Sequence, residues 1–459
     1  MMTKFSWTKQ WYPVTPIDYL DSSHPTPITL LAKRLVIWQD KQEKWIAMDD
    51  TCPHKLAQLS LGSIDKNGDL MCRHHGWCFD GAGKCTNIPM LSEEKALETA
   101  CNSERSQVTI YPTQVLQGLL WVWPDNSSTA VEDSTLKQPA VMPEDKVDSS
   151  SIDWFMSEVP VSYTVSVESS FDPSHAQFLH EGIAGFSPER AIPIQRFRVF
   201  GEISAEDGFT LKHSGYNVFN KDMDATRKFI PPCYNTTIYE FSNGKSALFL
   251  LYFVPTKPGY CKQIARFIFD AAPQKRNLWF ELLPKYLQTG LKHSSSYKLS
   301  NQDLSIMHSQ TINESTENKT WQKSYFMPSL ADVGIVTFRK WLDEFAGGKP
   351  EWQGMTETPF LELNDEQLYD RWHRHTKYCP SCRQSLILID KIKDFCQNLT
   401  AVLAILALFL IAINLSVKII LLPVLLSILS LICSYKLDSV RQGFLTSIPK
   451  TGLPVVKLY

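Results

Sequence analysis

The longest uninterrupted hydrophobic stretch of the chain lies near its C-terminus, at residues 399–435. These 37 residues are almost all Leu, Ile, Ala and Val, and Lys418 is the only charged one. As a single helix the stretch would be about 55 Å long, nearly twice the ~30 Å hydrocarbon core of a bilayer. We therefore predict two transmembrane helices, 399–417 and 419–435, with a turn near 414–418. The alternative is a buried hairpin of a soluble domain, but such a hairpin needs a polar face for water.

The basic residues that flank this helix pair predict its orientation. Lys391 and Lys393 precede the pair and Lys436 and Arg441 follow it, whereas the predicted turn contains a single lysine. The positive-inside rule places both flanks in the cytoplasm. The large N-terminal part of the chain would then face the cytoplasm too.

The N-terminal third contains short strand-like runs between frequent turns. Residues 34–38 and 119–124 are two such runs, and the whole stretch 5–124 is rich in Trp, Pro and Gly. This pattern is typical of a small all-β domain. Residues 126–150 are rich in Ser, Asp, Glu and Pro without periodicity, so we interpret them as a linker.

Beyond the linker the pattern indicates a mixed domain. Apolar and polar residues alternate over 161–168, which is the period of a half-buried strand. Further strands are predicted at 247–254 and 263–269, and a helical stretch around 277–291. The predicted fold class is α+β. The domains are an all-β domain at 1–125, a linker at 126–150, an α+β catalytic domain at 151–355, a connector at 356–398, the helix pair at 399–435 and a tail at 436–459.

Composition and charge exclude several classes of protein. The 46 basic and 48 acidic residues give a net charge of −2, so no basic surface for nucleic acid is expected. Eleven cysteines in 459 residues are too few for a disulfide scaffold, and several lie beside histidines, which favours metal or redox use in a reducing compartment. The N-terminus shows no export signal or organelle presequence, and no nucleotide-binding motif occurs.

Two short motifs predict an iron–sulfur cluster. Cys52-Pro-His54 and Cys72-Arg-His-His75 are separated by 17 residues, and each supplies one thiolate and one imidazole. A Rieske [2Fe–2S] cluster needs two thiolates on one iron and two histidines on the other. A zinc site of two cysteines and two histidines has the same ligands. Zinc fingers usually pair Cys with Cys and His with His, so the mixed loops favour the cluster.

A second metal site is predicted at the start of the mixed domain. Asp172, His175 and His180 lie within nine residues of one another, in the spacing D-x₂-H-x₄-H. Iron enzymes that activate O₂ bind the metal with two histidines and one carboxylate and leave the opposite positions open. On a regular helix the two imidazoles would point about 140° apart, so the helix must bend or end between them.

A third motif, Cys379-Pro-Ser-Cys382, lies in the connector. Two thiols this close can form a reversible disulfide, so our first interpretation is a redox switch. One alternative is structural zinc, bound by this pair together with His373 and His375, and another is two unlinked thiols.

The motifs CPH and CRHHGW resemble those of Rieske domains, specifically of the oxygenase and ferredoxin branch. Together with the Asp172 motif, the late CxxC, the two apolar helices and the opening Trp7-Thr-Lys-Gln-Trp-Tyr-Pro13, they resemble the pheophorbide a oxygenase-like proteins. The resemblance implies a helix-grip catalytic domain, a [2Fe–2S] cluster, mononuclear Fe(II), electrons from reduced ferredoxin, a homotrimer and a tetrapyrrole-like substrate. The absence of a transit peptide favours a cyanobacterial source.

The resemblance also assigns roles within the second site. It makes Asp172 a hydrogen-bonded bridge between an iron histidine and a cluster histidine of a neighbouring subunit, and not an iron ligand. The third ligand would be a carboxylate more than a hundred residues further on. Asp303 is the best candidate, 123 residues after His180, and Glu314 and Glu317 are the alternatives.

We therefore expect a membrane-anchored, ferredoxin-dependent Rieske monooxygenase that inserts oxygen from O₂ into a hydrophobic substrate such as pheophorbide a or a chlorophyllide. A Rieske electron-transfer protein without oxygenase activity is one alternative. A redox-sensing membrane protein is another, in which the CxxC pair, with thioredoxin as its partner, would be central.

Overall fold

In the computed structural model, three small antiparallel sheets form the N-terminal part of the chain. The structure describes residues 4–143, 154–183, 185–269, 278–354 and 360–446, without the side chains of 278, 279 and 298. The strands of the three sheets pair in the orders β1-β11-β10, β2-β3-β4-β9 and β5-β6-β7-β8. The strands are β1 Tyr12–Pro16, β2 Thr26–Leu30, β3 Lys33–Gln39, β4 Trp45–Asp49, β5 Ser63–Ile64, β6 Leu70–Met71, β7 Cys78–Phe79, β8 Cys85–Asn87, β9 Ile110–Tyr111, β10 Thr113–Leu116 and β11 Leu119–Val122.

The predicted metal-binding cysteines lie within the core of this β domain. Cys52 follows β4 and Cys72 follows β6, and both thiols pack with Val36, Leu59 and Phe79. The core therefore holds both cluster loops at their cysteines, while the histidines two and three residues later reach the surface.

The catalytic domain is built on one seven-stranded antiparallel sheet in the order β12-β18-β17-β16-β15-β14-β13. The strands predicted at 247–254 and 263–269 lie within its two longest strands, which pair with each other. Its strands are β12 Phe155–Val159, β13 Gln195–Val199, β14 Phe209–Ser214, β15 Asp224–Ile230, β16 Tyr234–Glu240, β17 Ser246–Lys257 and β18 Tyr260–Phe269.

Helices cover this sheet and complete the chain. The α-helices are α1 Glu94–Cys101, α2 Ala130–Leu136, α3 Tyr163–Phe171, α4 His175–Leu179, α5 Leu278–Glu281, α6 Lys285–Thr316, α7 Trp321–Ser324, α8 Val333–Phe345, α9 Asp365–Leu368, α10 Pro380–Ala412 and α11 Val417–Leu445. Short 3₁₀ helices occur at Ile17–Tyr19, Leu59–Leu61, Glu104–Ser106, Pro188–Arg190 and Leu330–Asp332, and a π-helical turn occurs at Trp372–Thr376.

The strand predicted at 161–168 is wrong, because this segment forms α3. The Ser162 hydroxyl accepts a hydrogen bond from the Val165 backbone N–H and caps the helix. Residues of both sets in the alternation are buried; Val165 is 2% and Ser166 0% exposed. The helix packs against β16, β17, β18 and α8. The alternation of apolar and polar residues in this segment therefore does not correspond to a buried face and an exposed face.

The predicted linker is also more ordered than its composition suggests. Within its described part, 126–143, helix α2 forms, and the Trp11 indole N–H donates to the carbonyls of Ser134 and Lys137 at 3.1 and 2.9 Å. Residues 144–150 lie outside the described residues. The helical stretch predicted around 277–291 corresponds to α5 and the start of α6, and residue 277 is not described.

The described residues belong to two compact units: 1–272 with 303–362, and 273–302 with 363–459. The second unit contains the two apolar C-terminal helices, α10 and α11, which are long and apolar enough to be candidate membrane spans. The chain turns between them at 413–416, which overlaps the turn predicted near 414–418. The predicted fold class is confirmed: an all-β N-terminal domain, an α+β catalytic domain and a C-terminal pair of apolar helices.

Candidate metal centres

The first cluster loop is a tight turn that begins at Cys52. The Cys52 N–H donates to the Ala57 carbonyl at 2.8 Å, and the Leu56 N–H donates to the Cys52 carbonyl at 2.9 Å. Leu56 has a φ of 60°. This left-handed conformation is unfavourable for a branched residue and marks a backbone that its surroundings impose.

The second cluster loop repeats this hydrogen-bond pattern. The Cys72 N–H donates to the Trp77 carbonyl at 2.8 Å, and the Gly76 N–H donates to the Cys72 carbonyl at 2.9 Å. Gly76 has a φ of 71° and is equivalent to Leu56. A Cβ atom at Gly76 would lie 2.9 Å from Pro89 Cγ, so glycine is required here by both conformation and space. The two loops thus present their cysteines on equivalent backbone turns, although the histidine follows two residues later in the first loop and three in the second.

The two loops bring His54 and His75 together. Their ring centroids are 4.6 Å apart, and the His54 ring stacks on Trp77 at 4.8 Å with an interplanar angle of 6°. Among the described residues, His75 Nδ1 is buried without a hydrogen-bond partner. An iron atom would supply that partner, so the loops fit a Rieske cluster.

The paired cysteines fit the other iron of such a cluster. Cys52 and Cys72 are each only 1% exposed. Burial raises the pKa of Cys52 to about 11, so its thiolate needs a bound cation to form at neutral pH. His74, next to the second loop's ligand, has its ring centroid 3.8 Å from that of His75.

The second site forms where α4 meets α6. His180 Nε2 lies 3.2 Å from Asp303 Oδ1, and His175 Nε2 lies 3.7 Å from the same oxygen. One donor atom from each of the three residues lies within 4.8 Å of the others. Helix α4 ends at Leu179, so His180 leaves the helical path and its ring turns 78° from that of His175. The expected helix end between the two histidines is confirmed.

The alternative carboxylates lie elsewhere. Glu314 pairs with Arg339, and the Glu317 carboxylate accepts from the Lys319 backbone N–H. Asp303 is therefore the carboxylate that the fold brings to the two histidines. Two histidines and one carboxylate in this arrangement suit mononuclear Fe(II).

Asp172 lies on the far side of His175. Its Oδ2 is 3.7 Å from His175 Nδ1, the ring nitrogen that faces away from Asp303, and its Oδ1 accepts from the Ser174 N–H and hydroxyl at 2.8 and 2.6 Å. Burial raises the pKa of Asp172, but the interactions with His175 and Ser174 outweigh it and bring the pKa to about 2. An ionised carboxylate behind the outer nitrogen is the arrangement that orients a metal-binding histidine.

A file of aromatic rings runs from this site along the sheet. Successive ring centroids are 5.1 to 6.0 Å apart. The rings in order are His180, Phe186, Tyr216, Tyr239, Phe249 and Phe267. These rings come from separate strands and loops, so no local pattern in the sequence indicates the file. Tyr252, on the same sheet, belongs to the core: it is 1% exposed and packs against Trp121.

On its other side the site borders a cleft of about 80 Å³. Asp172, His175 and Asp303 form its polar end, and Val165 and Met307 contribute apolar surface. The cleft is well below the 300 to 1,000 Å³ of typical ligand pockets.

The cysteine pair of the connector has two histidines beside it in the second unit. They are His375, as predicted, and His293, which belongs to none of the motifs found in the sequence. His373 instead lies at the surface and contacts Asp370. The only sequence signal for His293 was its residue type, because 82 residues separate it from His375.

Comparison with known proteins supports a [2Fe–2S] domain and an oxygenase of the Rieske class. The family model of the Rieske [2Fe–2S] domain matches residues 10–112, and that of pheophorbide a oxygenase matches residues 229–321. Pheophorbide a oxygenase from Oryza sativa subsp. japonica is 34% identical over 405 residues, which cover 83% of this chain and 73% of the relative. Flavonoid 8-hydroxylase 2 from Ocimum basilicum is 31% identical over 403 residues, which cover 83% and 73%. Both relatives are described as chloroplastic.

The fold has solved counterparts. Dicamba monooxygenase bound to dicamba superposes with a TM-score of 0.55 at 16% identity, over 74% of this chain and 97% of that one. The fold and the two sites therefore define a Rieske non-heme iron oxygenase, an oxidoreductase that carries a [2Fe–2S] cluster and a mononuclear iron. Within that class, the chain belongs to the pheophorbide a oxygenase family.

Proposed function

We propose that this protein is a membrane-anchored monooxygenase that inserts one oxygen atom from O₂ into a planar, hydrophobic ring system, with a chlorophyll-derived tetrapyrrole such as pheophorbide a as the leading candidate. The observation that carries the proposal is the convergence of His175, His180 and Asp303 in a fold that also holds two cluster loops. In this proposal these three residues bind the iron, and Cys52, His54, Cys72 and His75 bind the cluster. When bound, the iron supplies O₂ activation and the cluster supplies electrons.

Asp172 is proposed to orient His175 and to carry the electron path between the two centres. Its ionised carboxylate can accept a hydrogen bond from the His175 Nδ1–H and leave Nε2 free for iron. The path would continue to a cluster histidine of a neighbouring subunit in a homotrimer. The support for this step is the exposure of His54 and the partial exposure of His75, which leave both imidazoles accessible from outside the chain. Reduced ferredoxin is the proposed donor.

The substrate class rests on the aromatic file and on the relatives' names. Phe186, Tyr216, Phe249 and Phe267 are half-buried, and Phe269, whose ring packs against Phe249, is 59% exposed. Such a surface favours stacking with a flat aromatic molecule. One relative is named for pheophorbide a and another for a flavonoid, and both molecules are flat ring systems. Because the adjoining cleft is too small for a macrocycle, we infer that the substrate lies along the aromatic file.

The membrane topology is proposed from the charged end of the helix pair. Lys393 Nζ binds Asp438 Oδ1 at 2.7 Å, and Arg441 Nε binds Asp390 Oδ1 at 2.6 Å. Both ion pairs join α10 to α11 at the end where the apolar stretch stops, and side chains on the apolar part, such as Leu408 and Leu429, are exposed. We place this charged end at the cytoplasmic surface, with a hydrophobic substrate arriving from the membrane.

The test combines iron counting with isotope transfer. The full chain should hold three iron atoms, and with reduced ferredoxin, ¹⁸O₂ and pheophorbide a it should give a product that contains one ¹⁸O atom. Asp303→Ala should retain two iron atoms and the reduced cluster's paramagnetic signal but form no product. Glu317→Ala is the matched control, because Glu317 is an exposed carboxylate that follows Asp303 in the chain and lies away from the two histidines. This variant should keep all three iron atoms.

Two results would contradict the proposal. Two iron atoms in the unaltered chain would indicate an electron carrier, and three iron atoms in Asp303→Ala would remove that residue from the ligand set. A parallel incubation with a flavonoid separates the substrate classes, since oxygen transfer to the flavonoid alone would exclude the tetrapyrrole.

A further inference from the structure

We propose that His293, His375, Cys379 and Cys382 form a structural zinc site that ties α6 to the start of α10. One donor atom from each of the four residues lies within 4.8 Å of the others. All four residues belong to the second compact unit, and they come from three elements: α6, the π-helical turn 372–376, and the N-terminus of α10.

The distances match a tetrahedron of zinc ligands. With Zn–S bonds of about 2.3 Å and Zn–N bonds of about 2.0 to 2.1 Å, a sulfur and a nitrogen on one tetrahedral zinc lie roughly 3.5 to 3.6 Å apart. The observed separations are 3.6 Å from His293 Nδ1 to each sulfur and 3.2 Å from His375 Nε2 to Cys382 Sγ. The histidine nitrogens lie as close to the sulfurs as ligands of one metal ion do. In a Rieske [2Fe–2S] cluster, by contrast, the thiolates and the imidazoles bind different iron atoms.

Burial makes a closed structural site the best explanation of this cluster. His375 and Cys382 are 0% exposed, Cys379 is 1% and His293 is 7% exposed. Buried thiols and imidazoles in contact with one another form a set of donors that a coordinated metal ion can hold together. Four protein ligands also leave no open coordination position, which is typical of structural and not catalytic zinc.

The surroundings supply a second layer of contacts. Arg371, 1% exposed, interacts with Cys382, and its guanidinium carbon lies 3.7 Å above the Tyr297 ring. Tyr297 in turn packs against His375 at 5.7 Å. The Arg371 guanidinium can donate a hydrogen bond to a zinc-bound sulfur, and outer contacts of this kind orient the ligands of a metal site.

The π-helical turn explains why the histidine spacing is not that of a simple motif. The wider turn over Trp372–Thr376 directs His375 into the cluster while His373, two residues earlier, remains at the surface with its side chain 64% exposed. The zinc set predicted from sequence thus contains one wrong histidine: His373 is replaced by His293. The competing prediction is the reversible disulfide between Cys379 and Cys382, which requires no histidine at all.

Metal analysis of the full chain with both iron centres loaded tests the site. We expect about one zinc atom per chain, and zinc X-ray absorption should report two sulfur ligands at about 2.3 Å and two nitrogen ligands at about 2.0 to 2.1 Å. His293→Ala and Cys382→Ser should each lower the zinc content at least tenfold. His373→Ala is the matched control and should retain the zinc.

Two further measurements distinguish loss of the zinc site from a folding defect, and neither depends on oxygenase activity. The reduced cluster's paramagnetic signal reports whether the rest of a variant is intact, and removal and return of zinc in the unaltered chain tests the site without any substitution. Any of four results would overturn the proposal: less than 0.1 zinc per chain, a fourth iron in place of zinc, zinc retained by both ligand variants, or a zinc X-ray absorption spectrum without sulfur ligands. A disulfide found between Cys379 and Cys382 in freshly isolated protein would overturn it in favour of the redox switch.

Discussion

Replacing Arg339 by Met should destabilise the catalytic domain strongly, because it leaves a buried carboxylate without its counter-ion. Arg339 is 6% exposed in α8 and Glu168 is 7% exposed in α3. The Arg339 guanidinium donates from Nε to Glu168, lies 2.7 Å from Glu314 through Nη2, and donates to the Tyr325 hydroxyl at 2.9 Å. The ion pair therefore links three helices, including α3, which ends beside Asp172, and α6, which carries Asp303.

The expected cost follows from the chemistry of buried ions. Removing one partner of a buried pair typically costs about 3 to 5 kcal/mol. Methionine keeps much of the apolar volume of the arginine stem, so the loss reflects mainly charge and hydrogen bonds. For a domain of this size the cost corresponds to a fall in the unfolding midpoint of roughly 7 to 12 °C.

The loss should depend on pH in a defined direction. Burial raises the pKa of Glu168 to about 7 from its ordinary value of 4.5, and Arg339 opposes this rise. The variant's Glu168 should therefore have a still higher pKa. Because the folded chain holds this proton more tightly than the unfolded chain, stability falls as the pH rises through this interval. The variant should lose less than half as much stability at pH 5 as at pH 8.

Thermal unfolding in detergent, followed by near-ultraviolet circular dichroism at both pH values, measures the effect. Lys340→Met is the matched control, since Lys340 is exposed on the same helix, and it should change stability by about 0.5 kcal/mol or less. Adding Glu168→Gln to Arg339→Met should recover part of the loss. A loss under 1 kcal/mol, or an equal loss at both pH values, would refute the reasoning.

Two further predictions concern the iron sites. Asp172→Asn preserves the shape of the side chain but removes the negative charge behind His175, so turnover should fall at least a hundredfold while three iron atoms remain bound. If metal analysis shows loss of the mononuclear iron, Asp172 is instead a ligand or a structural residue. Gly76→Ala should lower the unfolding midpoint of the cluster-loaded chain and speed the loss of the cluster's visible absorption. The reason is that the left-handed φ and the contact with Pro89 cost an alanine about 1 to 3 kcal/mol. An unchanged rate of cluster loss would contradict this account.

The sequence by itself determined the features whose parts are neighbours in the chain. The cluster loops could be predicted because each supplies a cysteine and a histidine within four residues. The apolar helix pair could be predicted because hydrophobic length is a local property. The histidines 175 and 180 could be predicted because they flank one short helix. The resemblance to a known family then identified Asp303, which no local pattern singles out.

Only the tertiary structure decided which distant groups meet and which faces are buried. Residues 163–168 lie in a helix that sheet and helix cover on several sides, and alternation cannot report burial of that kind. His293 joins Cys379 across 86 residues because α6 passes the start of α10, and nothing in the local sequence encodes that approach. The aromatic file is assembled from separate strands and a loop for the same reason: side-chain proximity across a fold depends on packing, whereas sequence periodicity reports only one element at a time.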